Sequence, residues 1–220
     1  MTNNNLAISE IYKSFQGEGL FLGSPAIFLR LSGCNLRCKW CDSKYSWEKE
    51  KTLDIDSILR TIVSYDLPHL VITGGEPLLQ QNTLYNLLDL IPNNYVIEVE
   101  TNGTIMPNND LFSVVTIFNV SPKLLSSGEK LKINLDVLDC LNYHNAIFKF
   151  VITDDSDFFE AEQLIDKLEI DIGRVFLMPQ GFDEKQLIEN SKWLLEKCIE
   201  KGYQFTPRLH IMLYGCRRGI

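Results

Sequence analysis

Apolar residues along this chain fall into short blocks rather than one continuous alternation. Blocks rich in β-branched and aromatic side chains occupy residues 26–31, 70–73, 96–100, 114–120, 147–152 and 175–178. Gly, Pro or Asn bounds them, and runs of that length predict buried strands. Between several of them the apolar period lengthens to that of a helix. Residues 56–64 place Ile58, Leu59, Ile62 and Val63 on one face, with Asp56 as the predicted cap. Residues 83–91, 157–168 and 184–201 show similar spacing. Strand alternating with helix predicts an α/β fold on a mostly parallel sheet. No repeat, low-complexity tract or long linker interrupts the pattern, so residues 1–220 read as a single domain.

Polar motifs follow three successive predicted strands. Thr73-Gly74-Gly75-Glu76-Pro77 closes one, Glu100-Thr101-Asn102-Gly103 the next, and Ser121-Pro122-Lys123 the one after. In parallel α/β proteins sites gather at the carboxyl ends of strands, so the three ends predict one shared cleft.

Composition narrows the class. Apolar residues make up 45% and charged residues 23%, which suits a globular protein. The net charge of −8 argues against a nucleic-acid surface, which needs clustered Lys and Arg, and favours a small-molecule substrate. No apolar stretch approaches the roughly 20 residues of a membrane span. The polar opening at Met1 to Asn5 does not resemble a secretory signal, so a cytoplasmic location with reduced thiols is expected.

Reduced thiols make the cysteines informative. Cys34, Cys38 and Cys41 form a C-x3-C-x2-C run, while Cys140, Cys198 and Cys216 are scattered and read as buried or incidental. Zinc sites usually carry paired C-x2-C or added His, and His69, His144 and His210 lie far off in sequence. Three thiolates on a four-iron cube leave one iron open, and that iron can hold the amino and carboxylate groups of S-adenosylmethionine. A zinc-stapled binding module without catalysis remains the bland alternative.

The cysteine spacing, Trp40 before the third Cys, and Gly74-Gly75-Glu76 after the following strand together resemble the radical S-adenosylmethionine superfamily. Ser14-Phe15-Gln16-Gly17-Glu18-Gly19, residues 25–31 and Cys41-Asp42-Ser43 look more narrowly like the 7-carboxy-7-deazaguanine synthase family. Residues 100–104, 121–123 and 209–220 extend that likeness over nearly the whole chain. It implies a compact partial (β/α) barrel of about six mostly parallel strands with a reduced set of covering helices. It also implies a lyase of queuosine and 7-deazapurine biosynthesis, acting on 6-carboxy-5,6,7,8-tetrahydropterin with loss of ammonia. A glycyl-radical activase, which shares the cysteine motif and small size, is the enzymatic rival.

By the same resemblance, Cys34, Cys38 and Cys41 hold a [4Fe–4S] cluster and are the catalytic set. Trp40, Cys41, Asp42, Gly75, Ser121, Pro122 and Lys123 match the S-adenosylmethionine site. Phe15, Gln16, Gly17, Arg30, Thr73 and the terminal Ile220 match substrate contacts, Arg30 as the fork for the substrate carboxylate. Ser43 matches a Mg²⁺ ligand, and Glu18, Glu100 and Asn102 are further candidates. The resemblance further implies an external electron donor such as flavodoxin or ferredoxin. A reduced helical layer would leave sheet exposed, which predicts a homodimer.

Overall fold

The computed structural model describes residues 4–48, 51–129 and 133–220; the start of the polar opening, Met1–Asn3, lies outside them. A nine-stranded sheet runs through the molecule in the order β3-β1-β2-β4-β5-β6-β7-β8-β9. β1 (Asn5–Phe15), β2 (Pro25–Leu31) and β3 (Lys51–Asp54) open it. The middle strands are β4 (His69–Gly74), β5 (Val96–Thr101) and β6 (Ile117–Val120). β7 (Ala146–Ile152), β8 (Val175–Pro179) and the two-residue β9 (Gln204–Phe205) complete it. From β2 through β9 every pairing is parallel, while β1 runs antiparallel to both β2 and β3.

Each of the six strand blocks expected from the sequence contributes to this run, in sheet order. One starts later than expected: Val114 closes the single helical turn α3 (Leu111–Val114), and β6 begins only at Ile117. The Asn108 side chain accepts the Leu111 N–H at 3.3 Å, which favours a helical turn where apolar content alone suggested strand. β1, β3 and β9 were not expected. β1 carries Glu10, Lys13 and Ser14 among its apolar residues, and the other two are four residues or fewer.

Seven helices cover the sheet among the described residues. α1 (Ile55–Ser64) is capped by Asp54, which accepts the Ser57 N–H, so Asp56 sits inside the first turn instead of capping it. α2 (Gln81–Leu88), α4 (Leu135–Asn142) and α5 (Asp155–Lys167) follow. α6 (Glu184–Lys201) begins at an Asp183 cap and stops at Gly202, whose φ of +79° ends the helix. α7 (Leu209–Tyr214) lies near the carboxyl terminus.

Side chains alternate strictly across the parallel strands. Leu70 and Ile72, Ile97 and Val99, Phe118 and Val120, and Phe148 and Phe150 join one large core beneath the helices. Their neighbours in sequence point the other way, to the inner side of the curved sheet, where Val71 joins Ala26 and Phe28, and Ile117 joins Ile147 and Phe176. That inner side holds Arg30, Thr73, Glu98, Glu100, Asn119 and Lys149, at least one polar side chain from each of five neighbouring strands.

Candidate active site

A cavity of about 360 Å³ opens at the carboxyl ends of the parallel strands. It gathers Thr73, Gly75, Glu100, Asn102, Ser121 and Lys123, so the three polar strand ends do share one cleft. The expected ligand loop borders it through Cys34, Cys38, Trp40, Cys41, Asp42 and Ser43. Phe15, Gln16, Gly17, Arg30 and the terminal Ile220 complete the expected set. Pro122 is buried directly behind Ser121 and is not among the lining residues.

The cysteine loop is held from three directions. Gly33 N–H donates to Ser46 O at 2.8 Å and Cys34 N–H to Trp47 O at 3.1 Å. Lys39 N–H donates to Ser127 O at 2.9 Å. Asn102 Nδ2 donates to Asn35 Oδ1 at 3.0 Å, tying the loop to the end of β5. Beneath it Gly74 adopts φ +139°, and a Cβ on Gly75 would stand 2.2 Å from Gly33 O and 2.9 Å from Cys34 Cβ. Only glycine allows this approach of β4 to the loop. Glu76 then turns inward, fully buried, and accepts Leu78 N–H, Thr101 Oγ1 and Asn102 N–H at 2.7–3.0 Å. Burial pushes its carboxyl upward even so.

The donor set fits an iron–sulfur cluster. Among the described residues no three His, Cys, Asp or Glu side chains converge as ligands of a single metal ion. The thiols instead ring one mouth of the cavity, and each of the three lies within electrostatic reach of the others. Burial raises Cys34 and pushes Cys38 up to about 11, so cluster loading must displace protons. Lys123 is lowered by its own burial; its Nζ donates to Ser121 O and Oγ at 2.8 and 2.7 Å and lies 5.8 Å above the Trp40 ring. Trp40 Nε1 is buried with no hydrogen-bond partner among the described residues, a donor suited to a ligand in this cavity. Ser43 Oγ donates to Asp42 Oδ1 at 2.6 Å, leaving its lone pairs for a hard cation.

The opposite wall is a buried charge network. Gln16 Nε2 donates to Glu98 Oε2 at 3.0 Å and to Glu100 Oε1 at 3.3 Å, and Thr73 Oγ1 donates to Glu100 Oε2 at 2.7 Å. Glu18 meets Lys149 Nζ at 2.5 Å and Arg208 Nε at 3.3 Å, and Arg208 also pairs with Asp42. Burial disfavours charge on Glu18, yet Lys149, Arg208 and His210 hold it well below the carboxylate range. Burial lowers His210 to about 4, so the ring is neutral at pH 7. Arg30 donates from Nε to Glu10 at 2.8 Å and from Nη2 to Tyr12 Oη at 3.0 Å.

Several lining residues were not anticipated. Lys149, Asn119 and Arg208 reach the cavity, as does His210 despite its distance in sequence from the cysteines. His69 packs instead against Phe21, and His144 stacks on Phe112. Cys216, expected to be incidental, also lines the cavity, whereas Cys198 is buried on the inner face of α6. A signal for Lys149 and Asn119 was present: each is the lone polar residue inside an otherwise apolar strand.

Comparison with known proteins agrees with this geometry. The family model for the radical SAM superfamily matches residues 29–114. The chain is 36% identical over 216 residues to the 7-carboxy-7-deazaguanine synthase of Pyrobaculum aerophilum, covering 96% of each. It is 37% identical over 237 residues to that of Halobacterium salinarum, covering 96% of this chain and 91% of the relative. The crystal structure of QueE from Escherichia coli superposes with a TM-score of 0.75 at 27% identity, covering 94% of this chain and 96% of that one. Streptococcus suis SuiB, solved with its precursor peptide SuiA, shares the fold at a TM-score of 0.58 and 15% identity, covering 83% of this chain and 53% of that one.

Proposed function

Since the chain belongs to the 7-carboxy-7-deazaguanine synthase family of radical SAM enzymes, we propose that its cavity converts 6-carboxy-5,6,7,8-tetrahydropterin to 7-carboxy-7-deazaguanine with loss of ammonia. The enzyme takes a [4Fe–4S] cluster, S-adenosylmethionine and Mg²⁺. The carrying observation is that one cavity joins three cysteine thiols to a wall bearing Arg30, Lys149 and Arg208. An acidic protein has placed its cations where an anionic substrate would sit.

Cys34, Cys38 and Cys41 would hold the cluster and Ser43 the Mg²⁺. Bound S-adenosylmethionine supplies, on one-electron reduction, the radical that starts the ring contraction. The chain's own part is binding, orientation and exclusion of water. Trp40, Cys41, Asp42, Gly75, Ser121 and Lys123 would border the sulfonium cofactor, with Pro122 stiffening the turn behind them. Arg30 offers its remaining N–H groups to the substrate carboxylate, while Phe15, Gln16, Gly17 and Thr73 frame the pterin. Glu18 stays charged between Lys149 and Arg208 and holds both cations at the wall. Ile220 brings the chain terminus to the same space.

Residues 1–220 form a single radical SAM domain in this reading, supported by the single sheet among the described residues and the cavity at its strand ends. Exposed Ile188, Leu195 and Ile199 on the outer face of α6 support a homodimer, which sedimentation above the 25.3 kDa monomer mass would reveal. Exposed Lys39 and Lys44 beside the cysteine loop support docking of an acidic donor such as flavodoxin or ferredoxin. No described helix is long and apolar enough to cross a membrane, and a cytoplasmic site of action accords with three reduced thiols.

The deciding experiment is mass spectrometry of the product after anaerobic reconstitution with iron and sulfide. Carboxytetrahydropterin, S-adenosylmethionine, Mg²⁺ and dithionite should yield 7-carboxy-7-deazaguanine and 5′-deoxyadenosine. Formation of 5′-deoxyadenosine without the deazaguanine would overturn the substrate.

A further inference from the structure

Glu10 joins three parts of the chain without itself lining the cavity. It sits on β1 where the register with β2 slips between Ile8 and Glu10, and such an irregularity re-aims side chains. Its Oε1 accepts Arg30 Nε and Tyr45 Oη, both at 2.8 Å. Its Oε2 accepts Arg218 Nε at 3.3 Å. Arg218 also lies 4.4 Å above the Tyr45 ring and donates from Nη2 to Ser9 O at 3.1 Å. The two carboxylate oxygens therefore divide between the arginine of β2 and the chain terminus, 208 residues away from Glu10.

Both of those partners border the substrate space. Arg30 lines the cavity from β2, and residues 215–220 line it as a strap leading to Ile220. With Nε held by Glu10 and Nη2 by Tyr12 Oη, the guanidinium is fixed in rotation, which sets where its other N–H groups point. Tyr45 shares the hub and lines the same wall. We propose that Glu10 is a positioning residue that latches the C-terminal strap over the cavity and simultaneously aims Arg30 at the substrate carboxylate. The substrate part of this inference rests on the proposed function; the latch does not.

Loss of the carboxylate charge leaves Arg30 and Arg218 facing a neutral partner, and the strap keeps only the Arg218 hydrogen bond to Ser9 O as its tie to β1. Two variants test this in the full chain, Glu10→Gln and Arg218→Ala, the second at a side chain that lines the cavity rim. Hydrogen exchange of residues 215–220 is measured on the purified protein, together with pterin KM and kcat on the reconstituted enzyme. Faster strap exchange is expected in both variants, with KM raised about tenfold and kcat changed less than about threefold. Arg218→Lys should restore much of the protection. The double variant should exchange no faster than Arg218→Ala alone, because that change already removes the contact with Glu10. Strap exchange equal to wild type in both single variants overturns the latch. Should Glu10→Gln fail to fold, Arg218→Ala decides alone. A wild-type enzyme that makes no deazaguanine would remove the substrate reading and leave the exchange result standing.

Discussion

Lys149 Nζ lies 2.5 Å from Glu18 Oε2, joining the middle of β7 to the loop after β1 across 131 residues of chain. Lys149 is 4% exposed, and its ammonium also lies 3.9 Å from Glu100. Burial alone would lower its affinity for a proton, but Glu18 and Glu100 raise it. The cation is thereby fixed at the cavity wall.

Replacing Lys149 by Met removes the charge and keeps much of the volume. Glu18 then remains buried against Arg208 and His210, and unfolding free energy should fall by about 3 kcal/mol, the scale for breaking a buried pair. Urea denaturation of the metal-free chain measures it. The double variant Glu18→Gln/Lys149→Met should recover part of the loss, and no recovery would mean that the pair is not coupled.

Acid stability follows from Glu18 and His210. The folded-state affinity of Glu18 for a proton is depressed below its ordinary 4.5, so its contribution is present above that pH and lost as pH falls. His210, at about 4 when folded against an ordinary 6.5, binds its proton more readily when unfolded. Between those values the unfolded chain holds more protons, so stability also falls on acidification. An NMR titration should place the His210 midpoint near 4; a midpoint near 6.5 would show that the ring is not buried as described.

Gly75→Ala addresses the cradle under the cysteine loop. The new methyl would meet Gly33 O at 2.2 Å, so backbone must move, with overpacking of about 1–3 kcal/mol and a displaced Cys34. Iron per chain after anaerobic reconstitution should drop well below wild type while far-UV circular dichroism stays the same. Full iron loading would show that the approach of β4 is not needed.

Cys38→Ala and Arg30→Ala separate the two walls. Removing Cys38 should abolish the visible absorption of the cluster and all 5′-deoxyadenosine formation. Arg30→Ala should retain the cluster and weaken pterin binding by about 2–5 kcal/mol, the scale for losing one partner of a buried charged contact. Calorimetry with the pterin distinguishes them, and unchanged affinity would remove Arg30 from the substrate contacts.

Local order was legible wherever a residue pattern acts over a few neighbours. The apolar blocks from 26–31 to 175–178 marked every parallel strand but the two-residue β9, and α6 ran over the residues its spacing indicated. The C-x3-C-x2-C loop and the glycines after β4 were equally visible, since their chemistry depends on spacing within one segment. β1 escaped because its polar residues mask its pairing partners, which lie on β2 and β3.

Long-range pairings left almost no local trace. Lys149 and Asn119 each appear in sequence as one polar residue among apolar ones, and only the curvature of the sheet brings them to a common inner side. Glu10, Arg208, His210 and Arg218 acquire their roles from contacts that span much of the chain. The sequence by itself determined the strand and helix periods, the ligand loop and the family likeness, because these reside in short-range spacing. The tertiary structure alone decided which charges meet, because a buried carboxylate is stabilised by whichever cation folding delivers to it, however distant along the chain.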